Sequence, residues 1–500
     1  MGPKLTLICL LAVMAASAQQ YDLLLKGGHV IDPGNGIDAR MDVAVAGNRI
    51  AAVRAGIPEA QARKVVDVSA FYIVPGLVDL HAHVFGYSGA LVADDTALPA
   101  GTTTIVDAGG SGWKTFDKFR STVIAHSKTR VLALLNIVGA GMVGEPYESN
   151  TEDMDPVKTA ETIVHNREVI VGIKTAHYAK PGWTAIDRAV DAGKRAGVPV
   201  MVDDKIFTNA GRTTREELLD HLRPGDIHTH MYNDRQIELI DRFSGKVQPW
   251  MIAARKRGVL FDVGHGAGSF LWPVATRAME QGFVPDTIST DLHSSSFAIQ
   301  QSDMPNVMSK MMLLGMSLHD AVLRSTVNPA KAIGRYPELG TLTVGAVADI
   351  AVIEEQSGVF AFKDAWPAKR LGTKRLQCVV TIRDGKVVHE REGGVVPAQV
   401  SSGEIYDLLL KNAGQMDVGV IGKRIARLGR GLPAAHARLV VEAGGYSLKP
   451  DGLKEGGVAD IELMDGKRSI LRVKNGVIVW DTEGLSIPDW QRAGPYSNFK

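Results

Sequence analysis

Eight short apolar runs, separated by longer stretches of helical or loop character, fill the middle of this 500-residue chain. They are rich in valine, isoleucine and leucine, which is typical of strands buried on both faces. The predicted strands are Gly76–His83, Thr103–Asp107, Arg130–Val138, Val169–Lys174, Pro199–Asp203, Asp226–His230, Val259–Gly264 and Asp286–Asp291. Eight β/α units in roughly 265 residues predict an α/β fold, a (β/α)8 TIM barrel with its active site at the carboxyl ends of the strands.

The segments on either side of the barrel have short alternating apolar and polar residues, a pattern typical of strands with one buried face. They are Asp22–Gly28, Asp42–Val45 and Arg49–Val53 before the barrel, and Gly345–Ile353 and Val379–Val388 after it. We therefore predict a composite β-sandwich domain whose halves are residues 19–73 and 341–392. The barrel, residues 74–340, is inserted between them.

The tail, residues 401–500, repeats both flanks and omits the barrel. The matching segments are Tyr406–Asn412 with Tyr21–Gly27, Asp417–Ala426 with Asp42–Ala51, Gly456–Ile461 with Gly345–Ile350, and Val473–Val479 with Ile382–Val388. The repeat contains no cluster of metal ligands. It is predicted to be a degenerate duplicate of the β-sandwich domain with a structural or interface role.

Residues 1–18 have the pattern of a signal peptide. Lys4 is followed by the apolar run Leu5–Ala15 and the small residues Ala16-Ser17-Ala18. We expect an exported protein, periplasmic or secreted, with no stable membrane span after cleavage. The mature chain would keep a single cysteine, Cys378, and therefore no intramolecular disulfide.

The net charge is only +1 and no basic tract is present. This excludes the electrostatic signature of a nucleic-acid partner and leaves a small-molecule substrate as the expected partner. Homo-oligomerisation is left open.

Two histidines, His81 and His83, close the first predicted strand. Residues i and i+2 of a strand point to the same side, so their imidazoles can hold one divalent metal. Alternatively, they are two half-exposed histidines at a strand end. Later strands that also end in potential ligands favour the metal site.

Four of those strand ends carry further candidates. Lys174 ends an apolar strand, where it either reaches solvent or reacts with CO₂ to form an anionic carbamate that can bridge two metals. His230 ends the sixth strand. His265, between two glycines, is either a substrate contact or a simple loop histidine. Asp291 ends the eighth strand, where a carboxylate can bind metal and move a proton.

Several of these segments together resemble the amidohydrolase superfamily, and within it the dihydroorotase-like amidohydrolase/deacetylase branch. They are Pro75–His83, Ile170–Tyr178, Thr229-His230, Phe261–Gly266 and Ser289–His293. The resemblance covers about Tyr21 to Glu390.

The resemblance implies a metal site with assigned roles. His81, His83 and Asp291 would bind the more buried metal, and Lys174, N6-carboxylated, would bridge to a second metal held by His230. The fifth strand of such proteins usually ends in a ligating histidine, whereas this chain has Asp203 there. Asp203 is either an oxygen ligand of the second metal, or that metal is weakly held or missing.

The expected cofactor is therefore one or two divalent ions, zinc first, which would activate water as hydroxide. Asp291 would be the catalytic acid–base group, with His265 and His177 as substrate contacts. The predicted function is metal-dependent hydrolysis of an N-acyl or cyclic amide, with an ester as a close variant. The alternatives are a deaminase of the same superfamily and a non-catalytic metal-binding scaffold.

Overall fold

The structure is a computed structural model. It describes residues 19–203, 215–233, 239–366, 368–391, 396–397, 405–434, 437–450 and 452–486. The predicted signal peptide and the last residues of the tail, from 487 onward, lie outside the described residues. Within the described part of the chain, no helix has the length and apolar composition needed to cross a membrane.

The first strands belong to a β-rich domain. They are β1 (Tyr21–Asp32), β2 (Ile37–Ala46), β3 (Arg49–Arg54), β4 (Ala62–Asp67) and β5 (Tyr72–Pro75). β1 pairs antiparallel with β2 and parallel with both β4 and β5. Leu23 and Leu25, two positions apart on β1, both enter the domain's apolar core, as the period of a strand requires.

Seven parallel strands form the barrel wall, and each overlaps one predicted strand. They are β6 (Leu77–Ala82), β7 (Thr102–Gly112), β8 (Arg130–Asn136), β9 (Ile170–Ala176), β10 (Val200–Asp203), β11 (Ile227–His228) and β12 (Leu260–Phe261). The eighth predicted run joins through single parallel bridges, Asp262 with Thr287 and Ala82 with Leu292. These bridges reach both edges of the sheet and close it.

Helices follow most barrel strands. They are α1 (Ala93–Thr96), α2 (Phe116–Phe119), α3 (Pro156–His165), α4 (Thr184–Ala196), α5 (Arg215–Asp220), α6 (Pro249–Lys256), α7 (Trp272–Glu280), α8 (Met304–Leu313), α9 (Leu318–Ser325) and α10 (Val327–Ala332). In α4, Ile186, Ala189 and Val190 share one buried face. The helix ends at Gly197, whose φ of +69° suits the left-handed cap that glycine favours.

After the barrel, the chain returns to the β-rich domain. The returning strands are β13 (Ile350–Lys363), β14 (Lys369–Arg383), β15 (Lys386–Glu390) and β16 (Val396–Pro397). β13 pairs antiparallel with β5, and Ile350 lies opposite Pro75. The strands of both flanks thus form one nine-stranded sheet, with the barrel inserted between neighbouring strands.

Gly76 is the link between the sheet and the barrel. A Cβ atom at this position would lie 2.2 Å from Oγ1 of Thr103, so a larger residue would separate the two parts of the chain. The close approach explains why glycine stands where β5 passes into β6.

The tail forms two further sheets with their own apolar core. Its strands are β17 (Tyr406–Ala413), β18 (Met416–Ile421), β19 (Arg424–Gly429), β20 (Ala437–Glu442), β21 (Ser447–Lys449), β22 (Ile461–Asp465), β23 (Arg468–Lys474) and β24 (Val477–Asp481). The sheet orders are β19-β18-β17-β20 and β21-β22-β23-β24. Leu408 and Val418 of the first sheet share a core with Leu463 and Val473 of the second.

Candidate metal centre

Six side chains predicted from the sequence converge at the carboxyl ends of the barrel strands. They are His81, His83, Lys174, Asp203, His230 and Asp291, and none is more than 13% exposed at the side chain. Lys174 and His81 are completely buried. Parallel strands bring them together because all carboxyl ends lie at the same rim of the barrel.

Two groups of side chains have donor atoms close enough to one another to hold a metal ion, and His81 belongs to both groups. In the first, Oδ1 of Asp291 lies 2.9 Å from Nε2 of His83 and 3.4 Å from Nε2 of His81. In the second, Oδ2 of Asp203 lies 3.2 Å from Nε2 of His230. The two groups are adjacent, since His230 Nε2 is 4.0 Å from Oδ2 of Asp291.

Lys174 lies at the junction of these groups. Its Nζ is 2.9 Å from Nε2 of His81 and 3.6 Å from Oδ2 of Asp203. The amine has no route to solvent, so the solvent-reaching alternative from the sequence analysis is wrong. A completely buried lysine among ligand atoms is the position that a bridging carbamate would need.

The ring of His81 is oriented by a hydrogen-bonded chain. Thr229 donates its hydroxyl proton to Asp262 over 2.8 Å and can therefore only accept from Nδ1 of His81, at 3.0 Å. Nδ1 of His230 similarly donates to the carbonyl of Gly264 over 2.6 Å. Both rings thus carry a proton on Nδ1 and direct Nε2 at the centre, as metal-ligating histidines do.

Two glycines allow the backbone to approach these ligands. Gly264 and Gly266 have φ values of +46° and +51°. A Cβ on Gly264 would lie 2.2 Å from Oγ1 of Thr229, and one on Gly266 would lie 2.3 Å from Oδ2 of Asp291. Glycine is required at both positions by conformation and by space.

The charges of the centre favour metal binding. Burial and the neighbouring Lys174 hold the pKa of His81 well below its usual range, so its ring is neutral. Burial acts to raise the pKa of Asp291, but the surrounding histidines His81 and His83 outweigh it and lower that pKa. The pKa of Asp203 is likewise lowered against the effect of burial, by His230 and Lys174. His81 thus offers a neutral imidazole beside ionised carboxylates, which suits a cation. Asp203 raises the pKa of His230 against the effect of burial, so metal binding at that ring would displace a proton.

Comparison with known proteins identifies the family. A profile of the amidohydrolase family matches residues 272–388. Over 359 residues the chain is 30% identical to a protein from Agrobacterium fabrum named as a deacetylase, covering 68% of this chain and 85% of that protein. The chain belongs to the amidohydrolase superfamily.

Solved structures of the superfamily share the fold. A structure titled as an adenine deaminase has a TM-score of 0.69 and 25% identity, over 74% of this chain and all of that one. One titled as a dihydroorotase has a TM-score of 0.64 and 27% identity, over 73% of this chain and 98% of that one. The predicted membership in this superfamily is therefore confirmed.

In this amidohydrolase, the two histidines predicted to contact substrate lie outside both donor groups. His265 is completely buried, and both ring nitrogens have partners: Nδ1 lies 2.9 Å from the carbonyl of Gly266, and Nε2 lies 2.8 Å from Nζ of Lys310. His177 is partly exposed, with Nδ1 3.0 Å from Oε2 of Glu148 and Nε2 3.7 Å from Oδ2 of Asp203. Substrate contact by either histidine stays a prediction.

Sequence reasoning missed the buried polar residues that support the centre. Asp79 accepts hydrogen bonds from the backbone and hydroxyl of Thr290, the neighbour of Asp291, and burial raises its pKa to about 7. Asp262 accepts from Thr229, Thr287 and Ser289. Strand parity was an available signal for Asp79, which shares the face of His81 and His83. The partners of Asp262 come from two other barrel strands, the sixth and the eighth, and could not be read from the sequence.

Proposed function

We propose that this protein is a metal-dependent hydrolase of C–N bonds in small molecules, acting on an N-acyl or cyclic amide. The observation that carries the proposal is the pair of adjacent donor groups that share His81, with Lys174 at their junction. Such a cluster of imidazoles and carboxylates, buried at a barrel rim, fits a hydrolytic centre.

The residues fit a divalent metal, zinc first. His81, His83 and Asp291 would hold one ion, and His230 with Asp203 would hold a second, with Lys174 as its carbamate between them. His83 faces Oδ1 of Asp291 with Nε2 at 2.9 Å, while its Nδ1 is buried without a hydrogen-bond partner among the described residues. When bound, the metal would activate water and polarise the substrate carbonyl.

The protein's own groups would handle the proton. Asp291 would accept a proton from the attacking water and pass it to the leaving nitrogen. Its carboxylate is ionised for the first step because His81 and His83 keep its pKa low. The carboxylate is also held in place, since Gly266 packs against Oδ2 and His83 against Oδ1.

The test of this function is the variant His83→Ala. We expect it to release metal and abolish turnover in a screen of N-acyl amino acids, acylated hydroxy acids and cyclic amides. His165→Ala, on the exposed face of α3, is the matched control and should retain both properties. A His83→Ala protein with full metal content and full activity would overturn the assignment.

A deaminase is the second candidate, favoured by the similarity to the structure titled as an adenine deaminase. Both reactions break a C–N bond with water, and the same centre serves either. They differ in product: deamination releases ammonia, whereas amide hydrolysis releases a carboxylate. Product analysis during the substrate screen separates the two.

We further propose that the tail is a degenerate duplicate of the β-rich domain. One hydrogen-bonded cluster that occurs in both copies supports this proposal. In it, a buried aspartate accepts hydrogen bonds from a lysine side chain and from two backbone amides. The first copy is Asp42 with Lys26, Gly27 and Ile57, and the second is Asp417 with Lys411, Asn412 and Leu432.

The strand pairings of the tail support the same proposal. β17 pairs antiparallel with β18 and parallel with β20, as β1 does with β2 and β4. β21 ends at Lys449, and only eleven residues separate it from β22 at Ile461, where the first copy holds the entire barrel between β5 and β13. None of the tail residues that the structure describes belongs to either donor group, so the proposed role of the tail is structural or at an interface.

We also propose export of the mature chain, on the pattern of residues 1–18. Mass spectrometry of the protein recovered from the periplasm or medium of an expressing bacterium would test it. A mature N-terminus at Gln19 is expected, and uncleaved protein confined to the cytoplasm would refute it.

A further inference from the structure

We infer that His177, oriented by Glu148, is a ligand of the second metal. The inference rests on the proposed function and concerns the donor group of His81, Asp203 and His230. Apart from the shared His81 and the carbamate proposed for Lys174, that group offers the second metal only Asp203 and His230. A site with three protein ligands leaves a coordination position that a further imidazole can fill.

His177 stands directly beside this group. It follows the end of β9 by one residue, and its backbone amide donates to the carbonyl of Asp203 over 3.0 Å. Its φ of +57° is uncommon for a residue with a side chain and is the kind of backbone strain that recurs at functional sites. Its Nε2 lies 3.7 Å from Oδ2 of Asp203.

Glu148 determines which ring nitrogen of His177 carries the proton. Its carboxylate is 4% exposed, accepts from the amide of Gly144 through Oε1, and lies 3.0 Å from Nδ1 of His177 through Oε2. A carboxylate only accepts, so Nδ1 of His177 donates. Nε2 then presents a lone pair toward the carboxylate of Asp203.

This arrangement repeats that of the other histidines of the second group. His81 and His230 also engage Nδ1 with a fixed partner and direct Nε2 at the centre. A carboxylate behind a ligating imidazole is a recurring support of metal sites. His177 thus engages Nδ1 with an acceptor as its neighbours do, although its acceptor is a carboxylate and theirs are a hydroxyl and a backbone carbonyl.

The distance between His177 and Asp203 suits a shared ion. Nε2 of His177 and Oδ2 of Asp203 face each other at 3.7 Å. Ligands bound about 2.0–2.2 Å from one tetrahedral ion lie about 3.4 Å apart. The pair is therefore close to the spacing of two ligands on one ion. His177 lies outside the group of His81, Asp203 and His230, so its ring, 27% exposed, would move toward His230 to complete the second site.

The experiment is a metal titration of the full-length protein with Zn²⁺ against a competing chelator, repeated with Co²⁺ to record its visible spectrum. The variants are His177→Asn and Glu148→Gln. The matched control is His221→Asn, since His221 also pairs through Nδ1 with a carboxylate, that of Asp187 at 2.6 Å, and is 28% exposed.

We expect two metal equivalents in the wild type. His177→Asn should retain the first and bind the second at least 100-fold more weakly, with a changed Co²⁺ spectrum. Glu148→Gln should weaken the second by about 10–100-fold, the usual effect of losing such a partner. His221→Asn should match the wild type.

The inference is overturned if His177→Asn binds two equivalents with unchanged affinity and spectrum, even if it turns over more slowly, because His177 would then contact substrate only. It is also overturned if the wild type holds one ion whose affinity and spectrum the variant leaves unchanged. In both cases the proposed function survives, whereas a wild type that takes up no metal refutes the proposed function itself.

Discussion

Thr229 links the metal centre to the buried carboxylate of Asp262, and replacing it with valine tests the orientation of His81. Valine has nearly the same shape as threonine but no hydroxyl. Thr229→Val removes the 3.0 Å contact to Nδ1 of His81 and the 2.8 Å hydrogen bond to Asp262. Asp262 keeps its hydrogen bonds from Thr287 and Ser289, so the main loss falls on His81.

The expected magnitude follows from the burial of both partners. His81 is completely buried, and a buried donor left without an acceptor costs about 1–3 kcal/mol. Its ring would also lose the partner that fixes Nε2 as the lone-pair atom. Losing such a partner lowers metal affinity by about 10–100-fold. That loss corresponds to about 1.4–2.7 kcal/mol of binding free energy.

The assay is competition for Zn²⁺ with a chelator, together with thermal unfolding of the metal-free protein. Thr229→Ser retains the hydroxyl and is the control. Its affinity for Zn²⁺ is expected to lie within threefold of that of the wild type. If Thr229→Val is folded and also binds metal within threefold of the wild type, the proposed orientation of His81 by this chain is incorrect.

Four other predictions concern separate parts of the molecule. Lys174→Ala should lose metal and activity because it cannot form the carbamate, and a short carboxylic acid added in solution should restore part of both. An unchanged metal content in this variant would contradict the prediction. Gly266→Ala should reduce kcat at least tenfold with a folded protein by circular dichroism, because the new Cβ meets Oδ2 of Asp291 at 2.3 Å and the φ of +51° disfavours alanine. Burial lowers the pKa of Lys310 to about 7, so between pH 7 and 10 the unfolded chain binds more protons than the folded one. The free energy of unfolding should therefore rise by about 2 kcal/mol from pH 7 to 9. Urea unfolding of Lys310→Met at both pH values should lack this part of the rise. Cutting the chain near Gln399 should leave metal content and turnover largely intact while lowering stability or changing the oligomeric state measured by sedimentation. A folded, metal-loaded truncation that loses turnover by orders of magnitude would refute the structural role of the tail.

Local pattern was sufficient for the strands and for the candidate ligands that lie at their ends. Apolar runs of four to eight residues identify buried strands, and parity along a strand places His81 and His83 on one side. The parallel order of the barrel then brings His83, Lys174, Asp203 and His230 to one rim, since a β/α repeat puts every carboxyl end on the same face. These inferences need only neighbours along the chain and the handedness of the fold.

The partners of those ligands were decided by the tertiary structure. Thr229 and Asp262 lie 33 residues apart, and Glu148 reaches His177 from a turn 29 residues away. Hydrogen bonds of this kind leave no periodic signal, because they depend on loop paths and on distances between strands that are not adjacent in sequence. For the same reason, the burial of both ring nitrogens of His265 could not be foreseen from its motif.

The sequence by itself therefore determined the barrel, the flanking strands and the candidate ligands at the strand ends, because strand period and apolar content are properties of short segments. Only the tertiary structure decided which nitrogen of each histidine faces the centre, which carboxylates support the ligands, and that Lys174 is sealed from solvent. The tautomer, orientation and burial of these side chains are set by contacts between residues that are distant in sequence. A local sequence pattern carries no information about such contacts.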